Sequence, residues 1–542
     1  MEREADVLIV GAGPVGLTLA IALTRLSLRI RIIDRAPDTK RQPRAAVIWP
    51  RAAEVLDDLG VIGSFEKAAN GLHSVEVYGR GHRLGELDVG HVTSAHPYPL
   101  VIEQHEIERL LADNLARLGI RVEWHTEATD LRLFEDRAEV TLRRTDGTEE
   151  IATSAWVVGC EGARSLVREK LGIPFEGERR KNLQVVQVNA VPTWRYADSS
   201  THGYFFLVPH VALGAFPIPG GGYRFFAFTT DPDPNRREAP TLGEMRELIA
   251  AAAHAPELEL ELTPPTWIAR ARFQDRIAAK LRRGRALLAG DAAHAWAPIG
   301  GHGMNAGIRG AHNLAWKLAA VHRGEAHAEL LDTYSDEQRA TARAVIREMR
   351  FNVLELPLPP LGLLAVQKLM PIGLSSEAVR RRIEFALSDL GMHYRKSKLS
   401  WRRVPKRWLR TGVRAGDRAP DIVVVAANGA RTFLHRLLSY ERWTLVLAHG
   451  NEDKASQRAR EQLAREIVAQ YRAPIEVLSV VPYGAEAEHT FGSEGLAMLV
   501  RPDGHTALVA PLEDAGKLDE YLGRWHVARG VRRSKTVSHL TA

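Results

Sequence analysis

Three short stretches hold residue types that could do chemistry. In "VGAGPVG", Gly11, Gly13 and Gly16 have the spacing GxGxxG. The first glycine permits a tight turn, the second lets a pyrophosphate approach the backbone, and the third lets a helix pack on a strand. Asp34 follows 23 residues after Gly11, where a carboxylate can bind a ribose hydroxyl pair. The second stretch, "GCEGARSLVR", sets Glu161, Arg164, Ser165 and Arg168 after an apolar run. The third, "LLAGDAAHAWAPIGGHGMNAG", puts Asp291 at the end of another such run, then His294 and His302 among glycines. Those histidines are eight apart, which is not the i,i+4 spacing of a helical zinc pair, and no GxSxG accompanies them. Metal and nucleophile–histidine chemistry are therefore disfavoured, with no metal site expected. A cradle for something large remains.

The strands and helices around these residues can also be read from the sequence. "DVLIVGAGPVGLTLAIALTRLSLRIRIIDR" reads as strand, turn, helix, strand, and "VLIV" has the continuous apolar character of a buried parallel strand. The helix start supplies N–H groups and a positive dipole end to phosphates. By itself the motif does not distinguish FAD from NAD. No second GxGxxG follows strand-like sequence, so one dinucleotide receives a dedicated unit. "PRAAVIWPRAAEVLDDLGV" and "IEQHEIERLLADNLARLGIRVEWHTEATDL" each join a polar loop to a helical period. Residues 176–275 change character: "YFFLVPHVALGAFPIPGGGYRFFAFTT" alternates aromatics with turns, as antiparallel strands do. Residues 346–411 read as helices interrupted by proline. From Gly412 onward, strands surround two amphipathic helices.

Composition bounds the class. A chain of 542 residues exceeds a single core. It is 45% hydrophobic and 26% charged, as soluble globular proteins are. The net charge of +7 comes from scattered arginines. The one dense basic run, "RGVRRSK", reads as a solvated tail rather than a nucleic-acid surface. A mild basic excess suits anionic small molecules. The single cysteine, Cys160, excludes intrachain disulfides and thiolate clusters. Nothing resembling a signal peptide precedes "ADVLIV". No run reaches the ~18–20 uncharged apolar residues of a membrane span; the nearest is broken by four prolines, Glu355 and Lys368. The expectation is a cytoplasmic protein with no membrane span and no nucleic-acid partner.

The order of the three motifs, ending in "GRALLAGDAAHAWAPIGGHGMNAGIRGAHNLAWKLA", resembles the group A flavoprotein monooxygenases. These are FAD-dependent aromatic hydroxylases of the para-hydroxybenzoate and phenol hydroxylase type. The resemblance covers about residues 5–345. It is greatest to the long hydroxylases of phenols, hydroxyphenylpropionates and aromatic polyketides. It implies an α/β fold with a Rossmann-like FAD-binding domain in two parts, residues 1–175 and 276–345. An antiparallel-sheet substrate domain would occupy residues 176–275 and a helical linker 346–411. A thioredoxin-like α/β domain would fill 412–542; lacking CxxC, it would serve packing or a homodimer.

The resemblance further implies bound FAD, NADPH or NADH as transient reductant, and O2 with a small aromatic substrate. Besides the three glycines, Asp34 and Arg35 would contact the adenosine side, Arg44 and Gln104 the pyrophosphate and ribityl, and Asp291 the ribityl chain. Pro298 would lie beside the isoalloxazine. Gly303 belongs to the run Gly300–Asn305 along the ring, with Met304 and Asn305 at a helix start facing the pyrimidine. Free N–H groups there would stabilise the negative charge of reduced flavin. Tyr204, His210, Phe216 and Arg224 are the candidate substrate residues, with Phe206, Tyr223 and Phe226 beside them. The phenol-activating base is not identified.

The implied reaction is hydroxylation of a phenolic or polycyclic aromatic through a flavin C4a-hydroperoxide. Two alternatives stay open. One is a flavoprotein of the same fold with another outcome: an epoxidase, a Baeyer–Villiger enzyme or a dehydrogenase. The other is a non-catalytic binding protein on an FAD fold. The Trp-x-Trp-x-Ile-Pro signature of halogenases is absent. Three departures from the family pattern stand out: Glu161 for Asp, His302 for a frequent Gln, and Arg309-Gly310 for Gln-Asp.

Overall fold

A computed structural model describes residues 4–39, 45–230, 233, 235–263, 267–401, 412–450, 453–492, 495–512 and 514–529. Arg44 lies outside the described residues, as does all but the first residue of the basic run 529–535. The chain forms two compact units, residues 1–315 with 335–392, and residues 316–334 with 393–542.

In the first unit, the apolar run at the N-terminus becomes the strand Ala5–Val10. It lies between two parallel neighbours, Ile30–Ile33 and Glu149–Gly159, and Ala286–Leu288 pairs parallel to the latter. Val7, Leu8 and Ile9 are buried, as a strand covered on both faces requires. The helix Pro14–Arg25 opens with proline in its first turn, where the missing N–H costs nothing. This is the Rossmann-like core. An antiparallel hairpin, Thr126–Leu133 and Ala138–Arg144, extends it beside Glu149–Gly159.

A second sheet of nine strands among the described residues runs through Ile268–Ala278, Phe175–Thr193, Tyr223–Thr230, Val211–Pro217 and His202–Val208. Two strands from earlier in the chain, Ser74–Gly79 and His82–Asp88, complete that edge. His294–Ala295, from the third motif, pairs at the other edge. The sheet therefore exceeds the span 176–275 at both ends. "SVEVYG" alternates, with Val75 and Val77 buried, but its partner strand is remote in sequence. The helix Leu242–Ala253, started by a Thr241/Glu244 capping box, covers one face. The proline-rich stretch forms the helix Pro360–Ser375, followed by Glu377–Leu387, within the first unit. Among the described residues no helix is long and apolar enough to cross a membrane.

Among its described residues the second unit holds a six-stranded sheet in the order Arg431–Phe433, Val423–Ala426, Ile475–Pro482, Trp443–His449, Gly495–Val500, Thr506–Ala510. Only the two central strands pair in parallel. With the helices Lys454–Val468 and Ala515–Trp525 this is a thioredoxin-like arrangement. Residues 316–334 belong to this unit because Trp316 is buried there. Its ring meets Trp443 at 5.2 Å, and its Nε1 donates to Asp503 Oδ2 at 3.1 Å. The division between units falls inside the helix His302–His322.

Candidate active site

The three motifs meet at one edge of the parallel sheet. Val10 pairs with Gly159, and Gly159 with Leu288, so each motif's turn leaves its strand at the same level. This is the carboxyl end, where open α/β sheets bind ligands. The turns are tied together: Cys160 N donates to Val10 O at 2.7 Å and Ala289 N to Gly159 O at 2.9 Å. Arg168 of the second motif donates to Ala292 O of the third at 2.9 Å. Val15 fills the space beside Gly290 and Gly307, where added Cβ atoms would stand 2.9 and 2.5 Å from it.

Within the first turn each glycine has a distinct task. Gly11 has φ +104°, and a Cβ there would strike Cys160 O at 2.6 Å. A Cβ on Gly16 would stand 1.9 Å from Gly11 O, so the helix could not seat. A Cβ on Gly13 would meet nothing within 4 Å; open space faces its backbone. Asp34 is buried and accepts from Ala12 N and Ala36 N, both at 2.8 Å. Each carboxylate oxygen keeps a second lone pair. Arg35 is exposed. Gln104 accepts from Ala45 N at 3.2 Å and donates to Glu108 at 2.9 Å. Glu161 turns back on its own motif, accepting from Val167 N at 2.9 Å and Ser165 Oγ at 2.8 Å. Burial raises its carboxyl above the usual range, against those bonds.

Asp291 is exposed, in the short turn Gly290–Ala292, and Pro298 is exposed at the head of the next turn. Gly300 and Gly301 both have positive φ, +75° and +66°, and lead into the helix His302–His322 with Gly303 and Met304 half-buried. Asn305 is fully buried. Its amide accepts from Trp49 N at 2.9 Å and donates to Val47 O at 2.9 Å and Gly301 O at 2.8 Å. The side chain thus latches the loop to the strand Val47–Ile48, and Asn305 can offer a ligand its backbone alone. Trp49 Nε1 donates to Gly300 O at 2.8 Å. Glu355 is buried and accepts from Gly300 N; burial pushes its carboxyl up to about 7, opposed by that bond and by His302. His294 stacks on Trp296 at 4.9 Å, and burial lowers it to about 4.

Side-chain alternation sorts the candidate substrate residues. Tyr204, Phe206 and Tyr223 belong to the core beneath the helix Leu242–Ala253. Tyr204 donates to Ala197 O at 2.8 Å. Phe205, Phe216 and Phe226 occupy the opposite face, with Val47 and Trp49. Phe226 and Phe228 there also pack with Trp296, Ala297 and Ile299 of the cradle loop. Phe226 and Trp296 remain half-exposed. Gly214 makes room for the Phe226 ring, 2.2 Å from where a Cβ would be. Arg224 is buried on this face, bound to Asn189 and to Glu103 at 2.9 Å, with its guanidinium 4.4 Å from the Trp267 ring centre. Burial lowers it to about 10 against the pull of Glu103. His210 is exposed in the turn between two strands, at φ +63°. The structure therefore brings Phe216, Phe226 and Arg224 to the cradle's face, and Tyr204 and His210 elsewhere.

Comparison with known proteins decides the family. Residues 4–349 match the family model described as FAD binding domain, and residues 413–528 match aromatic-ring hydroxylase, C-terminal. The chain belongs to the FAD-dependent aromatic-ring hydroxylases. It is 32% identical to 6-methylpretetramide 4-monooxygenase of Streptomyces rimosus, over 94% of this chain and 91% of that one. To pentachlorophenol 4-monooxygenase of Sphingobium chlorophenolicum it is 29% identical, over 94% of both. Among solved structures, a ternary complex of aklavinone-11 hydroxylase with FAD and aklavinone superimposes with a TM-score of 0.76. The identity is 27%, over 97% of this chain and 99% of that one.

The residues of this hydroxylase fit FAD. Open space faces Gly13 beside a helix start, a buried carboxylate stands at Asp34, and a glycine-rich loop offers backbone without side chains. Trp49 and Glu355, outside the three motifs, also hold the cradle through Gly300, and no motif marks them. Phe205 and Phe228 were missed because alternation does not reveal which face is which.

Proposed function

We propose that this FAD-dependent monooxygenase hydroxylates a phenolic or polycyclic aromatic substrate held against the Phe216–Phe226 face of the second sheet. The observation that carries the reading is that half-exposed Phe226 and Trp296 pack in one cluster with the loop that leads to Gly300–Asn305. An aromatic ligand there would stack on apolar walls beside the cradle. When bound, FAD takes electrons from NADPH or NADH and activates O2 for transfer to the ring. The chain's own part is to bind, orient and exclude water. Gly11, Gly13 and the helix start at Pro14 would receive the pyrophosphate, Asp34 the adenosine ribose, Asp291 the ribityl chain, and the backbone of Gly303–Asn305 the ring. Arg224 would hold polar ligand groups indirectly, through Asn189 and Glu103. The names of the relatives, with their polycyclic and phenolic substrates, support the substrate class.

A panel of phenols and polycyclic phenols tests this reading. Good substrates should stimulate NAD(P)H oxidation with little hydrogen peroxide, and poor ones should raise peroxide release. NAD(P)H oxidation indifferent to every aromatic tried would sink the hydroxylase reading in favour of a dehydrogenase. The reading extends to a cytoplasmic homodimer. Leu361, Leu369 and Ile372 expose most of their side chains along the helix Pro360–Ser375, an apolar stripe that a second copy would cover. Light scattering that gives the mass of one chain would refute the dimer.

A further inference from the structure

His302 and Arg309 are two positions at which the cradle departs from the family pattern by gaining a basic side chain. They are seven residues apart in one helix and so share a face. That face is not solvated: Arg309 is buried, and the His302 ring stacks on Trp49 at 5.9 Å and 27°. Asp389 lies between them with its side chain fully buried. Its Oδ1 is 3.1 Å from His302 Nδ1 and its Oδ2 3.3 Å from Arg309 Nη2. The geometry is that of ionic contacts rather than aligned hydrogen bonds. Asp389 has φ +62°, a left-handed conformation that aspartate tolerates better than most residues. Glu355 binds Gly300 N. Two buried carboxyl groups from distant segments therefore contact the cradle, Glu355 at Gly300 and Asp389 at His302.

Neutral glutamines at 302 and 309 would need no buried counter-charge; a histidine and an arginine do. We propose that Asp389 is a positioning residue for the flavin, fixing the loop Gly300–Met304 through ionic contact with His302 and Arg309. The inference rests on the reading that this loop runs along the flavin ring. The charged groups facing His302 are Asp389, Arg309 and Glu355; Asp389 faces His302 and Arg309, and Glu355 faces His302 and Gly300 N. Burial works against charge on His302, but Asp389 outweighs it and leaves the imidazole above its ordinary value. The grip is complete while His302 is protonated. As pH rises through the His302 midpoint, Asp389 keeps Arg309 alone.

The test is the dissociation constant of FAD for the apoprotein, followed by flavin fluorescence from about pH 5.5 to about pH 8.5, where histidine titrates. The wild type should bind more weakly as pH rises. Asp389→Asn should weaken binding about tenfold or more at the acid end, because both cations lose their buried counter-charge. It should also move the midpoint to lower pH. The triple variant His302→Gln, Arg309→Gln, Asp389→Asn should recover affinity to within about threefold and flatten the histidine step. Wild-type affinity and profile in Asp389→Asn would overturn the proposal, as would a triple variant as weak as the single one. Should Asp389→Asn fail to fold, His302→Gln alone must still flatten the profile, and an unchanged profile overturns the proposal. A wild-type protein that binds no FAD would instead sink the reading of the loop as a flavin cradle.

Discussion

Gly13 and Gly16 are three positions apart and do opposite work. Gly13 has extended dihedrals that alanine adopts freely, and its missing Cβ leaves open space. Gly13→Ala should leave apoprotein stability within about 1 kcal/mol of wild type. It should weaken FAD binding at least about tenfold, or ~1.4 kcal/mol, read by flavin fluorescence. Gly16→Ala puts a methyl 1.9 Å from a backbone oxygen and should destabilise the apoprotein by more than about 3 kcal/mol in urea unfolding. Equal apoprotein stability of the two variants would contradict this division. Glu355 supplies a second residue-scale expectation. Its carboxyl stands at about 7 against an ordinary 4.5, so the folded state holds a proton that the unfolded chain has released. Stability therefore falls as pH rises from 4.5 to 7. Glu355→Gln keeps an acceptor for Gly300 N without the charge. Its melting temperature should gain on wild type more at pH 8 than at pH 5, by an amount worth at most about 3 kcal/mol. An equal difference at both pH values would contradict it. The motif residues were legible because they act through local backbone geometry. Glu355 and Asp389 were not, since nothing near them in sequence marks a partner 50 or more residues away.

At the scale of elements, the second sheet shows where alternation stops being informative. "YFFL" is apolar at every position, because both faces of the strand His202–Val208 are covered, one under a helix and one towards the cradle. A strand buried on both sides carries no polar parity, so Tyr204 and Phe216 could not be told apart in role. His210 stands in the turn at Pro209, where Val208 and Val211 pair; the proline was the available turn signal. Phe226→Ala should raise KM for a good aromatic substrate and increase peroxide release, with FAD affinity retained, because it removes a wall of the proposed site. Tyr204→Phe should leave KM unchanged and cost about 1 kcal/mol of stability, the weight of its bond to Ala197 O. Steady-state kinetics with peroxide detection separates the two. A KM change on Tyr204→Phe without one on Phe226→Ala would invert the assignment of faces.

For the whole molecule, the order of motifs carried the family. The unit boundaries depended on packing. Trp316 sits in the family's helix motif yet is buried with Trp443 and Asp503, contacts that only the fold creates. Asp503 is buried beside Arg501, with Nε to Oδ1 at 3.0 Å. Burial opposes its charge, but Arg501 and His505 hold the carboxyl well below its usual range. Its stabilising contribution is present at neutral pH and lost as pH falls through that lowered value. Asp503→Asn should destabilise the second unit by about 3–5 kcal/mol at pH 7, seen by calorimetry, and wild-type stability would show the pair to be dispensable. The chain's only cysteine, Cys160, lies in the first unit, so the second unit has no thiol with which to relay electrons. In the proposed reaction one oxygen atom of O2 enters an aromatic ring bound beside the flavin. Turnover of a stimulating phenol under isotopically labelled O2, with mass analysis of the product, tests it most directly. One labelled atom per product molecule is the expected result. Product that carries no label, or takes its oxygen from water, would rule out the hydroxylase reaction.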